Sequence, residues 1–229
     1  MTSAIIVAAG RGTRMGPHID KLFLEVAGRP VIAHTWARFD AAAGVDEIVL
    51  VVRAGWEEAF REIGGKLGLQ KPFRFALGGA ERQDSVWSGL QALGPDAAVV
   101  AIHDGARPCV SPELIAETIR AARESGAAVA AQRMTDTLKE SADGTTIDRT
   151  IDRAKLWSVQ TPQAFRVSVI REAISTARSR GLNLTDDTAA CELIGQAVRL
   201  VESKAPNPKV TVPADLPFIA SLLAAEPTT

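Results

Sequence analysis

The run Ala4-Ile5-Ile6-Val7-Ala8 empties into Ala9-Gly10-Arg11-Gly12-Thr13-Arg14-Met15-Gly16, with Lys21 beyond. Gly10 and Gly12 let backbone come close to a ligand, and Arg14 and Lys21 can reach phosphate oxygens. A buried strand that ends in such a loop presents N–H groups and fixed positive charge to a polyphosphate. The loop lacks the Gly-Lys-Ser/Thr ending of a P-loop, and its Gly10-x-Gly12-x-x-x-Gly16 spacing departs from the dinucleotide fingerprint. The chemistry indicated is that of a nucleotide held by neither standard motif.

Three further constellations bear on the same chemistry. In Gly78-Gly79-Ala80-Glu81-Arg82-Gln83-Asp84-Ser85 a glycine turn opens a helix, so Gly79 can lie against a planar base and Ser85 can supply a short hydroxyl. Arg82 and Asp84 read there as helix-surface charges, Asp84 above all. His103-Asp104-Gly105-Ala106-Arg107-Pro108 ends another apolar run, and a carboxylate at that end of a strand can hold Mg²⁺ or accept bonds from a substrate hydroxyl. His103 itself reads as a packed residue rather than a base. Basic residues recur at Lys139, Arg153, Lys155 and Lys209, and together with Arg14 and Lys21 they make an anion site if the fold gathers them.

The elements that must position these residues alternate between short β-branched runs and amphipathic helical patterns, the signature of an α/β chain around a mostly parallel sheet. Strands are expected at Ala4–Ala8, Glu47–Val52, Phe73–Leu77, Ala98–His103, Ala127–Ala131 and Ala197–Val201. Helices are expected at Pro30–Phe39, Trp56–Leu67, Arg82–Leu93, Ser111–Arg123, Val167–Arg178, Thr185–Leu193 and Pro213–Leu223. Ser111 followed by Pro112 marks a helix start.

The alternation fails between Gln132 and Phe165, where Thr135–Lys139, Thr146–Ile151 and Trp157–Gln160 read as hairpins leaving the main sheet. Residues 132–160 therefore form a protruding arm within a single domain spanning 1–229. A two-stranded ribbon is marginal alone in water. Such an arm needs a partner surface, which predicts a homodimer in which the arms clasp.

Bulk properties narrow the classes further. A net charge of -1 over 229 residues gives no basis for a nucleic-acid partner or an anionic membrane surface. The N-terminal apolar run meets Arg11 too early for a signal segment or a bilayer span. Cys109 and Cys191 belong to no metal-ligand spacing, and reduced thiols in a cytoplasmic protein are the plain reading.

Taken in order, Ala8-Ala9-Gly10-x-Gly12-x-x-Met15 with Lys21, Gly79-x-Glu81-Arg82-x-x-Ser85-Val86, His103-Asp104-Gly105-Ala106-Arg107-Pro108, Asp136-Thr137-x-Lys139, Thr161-Pro162-Gln163-x-Phe165, Thr185-Asp186-Asp187 and Asn207-x-Lys209-Val210-Thr211 resemble the 2-C-methyl-D-erythritol 4-phosphate cytidylyltransferases. The resemblance runs from residue 3 to about residue 216. It implies a Rossmann-like nucleotidyltransferase fold with helices on both faces, and a Mg²⁺-dependent transfer from CTP to a phosphopolyol with release of pyrophosphate.

By position, Arg14 and Lys21 resemble the residues that stabilise the transition state. Arg153 and Lys209 resemble those that position the methylerythritol phosphate, with Arg153 and Thr137 reaching across from the other subunit. Ala8, Ala9, Gly10, Gly12, Gly79 and Ser85 fall where the family holds cytidine. Asp104, Arg107 and Thr185 fall where it surrounds metal and polyol. Ala80 and Pro208 depart from the pattern. Ribitol 5-phosphate cytidylyltransferases share much of it, and a CTP-binding module without turnover is a third reading. With a phosphate monoester as nucleophile no general base is needed, in keeping with the lack of a convincing one.

Overall fold

Strands covered on both faces read as continuous apolar runs, and Glu47–Val52 and Val99–Asp104 are buried along their whole lengths. They are interior strands, the second of them central, in the sheet of the protein, here a computed structural model that describes residues 1–10 and 20–225. In chain order the strands are β1 (Thr2–Val7), β2 (Glu25–Val26), β3 (Arg29–Pro30), β4 (Glu47–Val52), β5 (Phe73–Leu77), β6 (Val99–Asp104), β7 (Ala127–Arg133), β8 (Lys139–Glu140), β9 (Arg149–Thr150), β10 (Trp157–Arg166) and β11 (Arg199–Glu202). The helices are α1 (Val31–Ala41), α2 (Glu57–Leu67), α3 (Arg82–Gln91), α4 (Pro112–Ser125), α5 (Val167–Ser179), α6 (Asp187–Glu192) and α7 (Leu216–Ala224).

The main sheet has the order β11-β7-β10-β6-β1-β4-β5. β1 pairs in parallel with β4 and β6, β4 with β5, and β11 with β7. Chain order therefore runs outward through β4 and β5, then jumps back to β6 on the other side of β1. An open α/β sheet leaves a crevice at such a reversal, outside the carboxyl ends of the strands. Here those ends are Gly10 beyond β1 and Asp104 closing β6.

Alternation along the strands feeds two cores. Ala4, Ile6, Ile48, Leu50 and Val52 face Trp36 and Phe39 of α1, Phe60 of α2, Ile115 and Ile119 of α4 and Ile219 of α7. Ile5, Val49, Val51, Val100 and Ile102 face Val86 and Leu90 of α3 and Ile170 and Ile174 of α5. Each valine, leucine, isoleucine and phenylalanine among them, removed from water, contributes about 1.5–3 kcal/mol, so both faces hold the sheet against its helices. α4 starts as expected, with Ser111 Oγ accepting the Leu114 N–H at 3.2 Å and Pro112 in the first turn. α6 begins later than the sequence suggested, at Asp187, because the Asp186 carboxylate accepts the Ala189 N–H at 3.0 Å and so caps it.

The arm is smaller than expected. Trp157–Gln160 does not leave the sheet: β10 runs antiparallel between β6 and β7, with Trp157 opposite Arg133, Ser158 opposite Gln132 and Phe165 opposite Val100. Gln132 and Arg133 belong to the sheet for the same reason. β7 extends beyond the buried core, and β10 satisfies its backbone groups while the Arg133 guanidinium lies over the Trp157 ring at 4.4 Å. What protrudes is 134–156, built on the β8–β9 ladder, with Ile147 61% exposed.

Candidate active site

The carboxyl ends of β1, β4, β5 and β6 border a cleft of about 840 Å³. Gly10, Lys21, Arg53, Gly79, Arg82, Asp104 and Lys209 all line it, though they come from six separate stretches of the chain. The sheet reversal accounts for this convergence, since each strand delivers its following loop to one edge.

One wall is glycine because nothing else fits. A Cβ on Gly78 would lie 2.2 Å from the Ala9 Cβ, and one on Gly79 would lie 2.3 Å from the Asp84 Cβ. The turn can thus press against Ala9, just past β1, and against the start of α3. Ser85 stabilises it: its hydroxyl accepts the Gly79 N–H at 3.1 Å and donates to the Glu81 carbonyl at 3.2 Å. The hydroxyl expected to be free for a ligand is therefore engaged in holding the turn. Ala9 and Gly10 line the cleft, whereas the Ala8 side chain is in the core and its N–H donates to Val51 O at 2.8 Å. Alternation explains the difference, because Ala8 continues the inward-facing series of Ala4 and Ile6.

The cleft also carries a charge cluster around Asp104. Lys209 Nζ meets Asp104 Oδ2 at 2.7 Å, Arg82 Nε meets Oδ1 at 3.3 Å, and Arg107 Nε lies 3.8 Å from Oδ2. Arg82 also reaches the buried Asp187, with Nη1 2.9 Å from Oδ2. Burial alone would raise the Asp104 carboxyl, but the charges of Arg82, Lys209 and Arg107 outweigh it and hold the group well below the usual carboxylate range. Burial opposes the Arg82 charge in the same way, and Asp187 and Asp104 overcome it. Three cations thus face two carboxylates, an excess of positive charge suited to an anion.

Lys21 joins the cluster from the far end of the sequence. Its Nζ donates to Val210 O at 2.9 Å, and Val210 N–H in turn donates to Ala106 O at 2.8 Å. Arg107 fixes the same segment through Nη1 to Asn207 O at 2.7 Å. Arg107 is a strut behind the cleft rather than part of its lining.

His103 is packed, as expected. Burial pushes it down to about 3, and both ring nitrogens are occupied: Nε2 lies 3.2 Å from Arg107 O and Nδ1 3.1 Å from Thr161 Oγ1. The neutral tautomer that donates from Nε2 and accepts at Nδ1 satisfies both contacts. Thr161 Oγ1 also accepts the Asp104 N–H at 3.1 Å, so the histidine orients the backbone of the acid.

Other expected residues lie elsewhere. Thr185 is exposed on the approach to α6, next to Asp186, which caps that helix, and does not line the cleft. Thr137 and Arg153 are exposed at the base of the arm, where Arg153 donates to Thr135 O, and neither lines this cleft. Gly12 and Arg14 lie outside the described residues. Arg82 and Asp187 carried no assigned role in the sequence, because Arg82 read as a surface charge and its partner lies far along the chain. Arg53 was missed outright; it follows an apolar strand, as Arg11 does, and that position was its one signal.

Among the described residues no group of three or more His, Cys, Asp or Glu side chains could by itself hold a metal ion. Among the described residues Asp104 is one of two acidic side chains lining the cleft, Glu81 being the other. One carboxylate beside a polyphosphate site fits Mg²⁺, which is commonly held by one or two carboxylates together with substrate phosphates. No helix among the described residues is long and apolar enough to cross a membrane.

The sequence pattern of the 2-C-methyl-D-erythritol 4-phosphate cytidylyltransferases matches residues 2–224. The cytidylyltransferase of that name from Geobacillus kaustophilus is 44% identical over 221 residues, covering 96% of each chain. That from Pelotomaculum thermopropionicum is 42% identical over 224 residues, covering 97% of this chain and 94% of its own. The crystal structure of 4-diphosphocytidyl-2C-methyl-D-erythritol synthase from Anaerococcus prevotii superposes with a TM-score of 0.86 at 34% identity, covering 97% of this chain and 96% of that one. With the cleft at the sheet reversal, the cationic wall and these likenesses over nearly the whole chain, the protein belongs to the 2-C-methyl-D-erythritol 4-phosphate cytidylyltransferase family.

Proposed function

We propose that the chain transfers the cytidylyl group of CTP to 2-C-methyl-D-erythritol 4-phosphate, giving 4-diphosphocytidyl-2-C-methyl-D-erythritol and pyrophosphate. The observation that carries this reading is the Lys21–Val210 contact at 2.9 Å, which sets Lys21 beside Lys209 on one cleft together with Asp104. An oxygen of the methylerythritol phosphate bonds to the α-phosphorus of CTP while the bond from that phosphorus to the pyrophosphate oxygen breaks. A phosphate monoester loses its second proton near pH 6, so no base is required. His103, buried and with both nitrogens engaged, is consistent with a site that uses none.

The barrier is then one of bringing two anions together and stabilising the charge on phosphorus. Lys21 and Arg14 carry the second task. Lys209 and Arg153 position the phosphopolyol, and Arg107 keeps the Asn207–Lys209 segment in place. The glycine wall at Gly79 takes the cytosine, with Ser85 fixing its shape. Asp104 would hold Mg²⁺ with the triphosphate, where the ion neutralises phosphate charge. Thr137 and Arg153 act across a homodimer, the 134–156 ribbon of each subunit reaching the neighbouring cleft; their exposure away from their own cleft supports this arrangement. Two buried, unpaired thiols, Cys109 and Cys191, support a cytoplasmic setting.

The test is pyrophosphate release from CTP and Mg²⁺ with 2-C-methyl-D-erythritol 4-phosphate or ribitol 5-phosphate supplied separately. Turnover with the first is expected. Turnover with ribitol 5-phosphate alone would replace the substrate, and CTP binding without turnover on either would replace the enzyme with a regulatory module.

A further inference from the structure

Arg53, which lines the cleft, forms an ion pair with Asp20. Arg53 stands just past the end of β4, and its guanidinium lies over the Trp56 ring, 4.2 Å from the centroid. Trp56 is braced in turn by Phe23, with ring centroids 5.0 Å apart, and Phe23 by Phe60 at 5.1 Å. The guanidinium is therefore fixed in plane as well as paired, and its partner carboxylate is only 8% exposed. A stacked planar fork loses little further freedom when it forms a hydrogen bond, so this pair is better set than an ordinary surface ion pair.

Asp20 immediately precedes Lys21 and closes the turn that carries it. Its Oδ2 takes the Arg53 guanidinium, its Oδ1 accepts the Leu22 N–H at 3.0 Å, and its carbonyl accepts the Phe23 N–H at 3.0 Å. On the other flank Leu22 is buried and its carbonyl accepts Ile32 N–H of α1 at 3.1 Å. The backbone of Lys21 is thus held between a point tied to the β4 end and a point tied to α1. From there its Nζ donates to the Val210 carbonyl.

We infer that Arg53 is a positioning residue: through Asp20 it sets the backbone from which Lys21 reaches the reacting phosphate, an assignment that rests on the transfer proposed above. Geometry of this kind matters out of proportion to its binding energy, since a displacement of about 1 Å at a reacting group costs on the order of a hundredfold in rate. The effect belongs in kcat, because the substrates still meet the other walls of the cleft.

The experiment is a double-mutant cycle on the full chain with Arg53→Gln, Asp20→Asn and both together, plus Arg53→Lys. Each single change should lower kcat about 10- to 100-fold with little change in either KM, and the double variant should be no worse than the poorer single. Arg53→Lys keeps a cation beside Asp20 and should recover most of the lost kcat.

A second readout is independent of turnover: the rate at which acetic anhydride acylates Lys21, followed by mass spectrometry. That rate should change in Arg53→Gln and in Asp20→Asn alike and return toward the parent value in Arg53→Lys. A raised KM for CTP with unchanged kcat, losses that multiply in the double variant, or a Lys21 acylation rate indifferent to Arg53 would each overturn the inference. Parent protein that never turns over CTP would instead sink the functional reading, and the acylation series would still decide the role of Arg53.

Discussion

The ammonium of Lys21 donates to the carbonyl of Val210 across 189 positions of sequence, at 2.9 Å. That bond brings the turn carrying Lys21 and the segment carrying Lys209 to the same place, and Lys209 lies 2.7 Å from Asp104. The cleft is therefore bordered by regions that share no secondary structure. Its chemistry depends on their remaining together.

On the proposed transfer, Lys21→Ala removes a preorganised cation from the position where charge develops. The expected loss is about 10²- to 10³-fold in kcat, the range found for single transition-state donors. Steady-state kinetics with CTP and the phosphopolyol check this, and a change confined to KM would remove Lys21 from the catalytic role.

Arg153→Ala in one subunit and Lys21→Ala in the other test the arm. If each arm completes a neighbouring cleft, mixed dimers regain one working site of two, whereas each homodimer stays impaired. Activity measured after co-expression with two affinity tags gives the result, and mixed dimers as weak as either parent would confine each site to its own chain.

Asp104→Asn leaves Lys209, Arg82 and Arg107 without their shared carboxylate. Breaking one side of a largely buried ion pair costs on the order of 3 kcal/mol, because the remaining charges stay desolvated. Urea melts should show the loss as a lower midpoint. Pyrophosphate release should fall in parallel, since the Lys209 ammonium is then free to move away from the cleft.

Acid should destabilise the fold through His103. In the folded protein this residue titrates at about 3, against an ordinary value of 6.5. Between those values the unfolded chain binds a proton that the folded one excludes, so stability is complete above pH 6.5 and drains away as the pH falls toward 3. The slope for one such group is at most about 1.4 kcal/mol per pH unit. His103→Gln should flatten the fall of melting temperature between pH 6 and pH 4; an unchanged profile would place the acid sensitivity elsewhere.

Much of the fold was legible because its strands are simple. Glu47–Val52 and Phe73–Leu77 appear with the boundaries the sequence suggested, the first because a run buried on both faces needs no partner to be recognised, while the second is a partly exposed edge strand. Asp104 could be placed at the ligand edge because a parallel sheet puts every strand end on one side. The glycines at 78 and 79 were legible as a turn, although it took the 2.2 Å and 2.3 Å clearances to show why no side chain is allowed there.

Other features depend on distance in space alone. Trp157–Gln160 has the alternation of a ribbon, and only its pairing with Gln132 and Arg133 puts it in the sheet. Arg82 has the position of a surface charge on α3 until Asp104 and Asp187 are brought against it. The Arg53–Asp20 pair has no signature in the chain at all. Local sequence determined the strands, the turns and the residue types offered at the sheet edge, because those follow from burial pattern and backbone preference. Which charge meets which was decided by tertiary structure, because an ion pair needs proximity and exclusion of water, and neither is a property of a segment by itself.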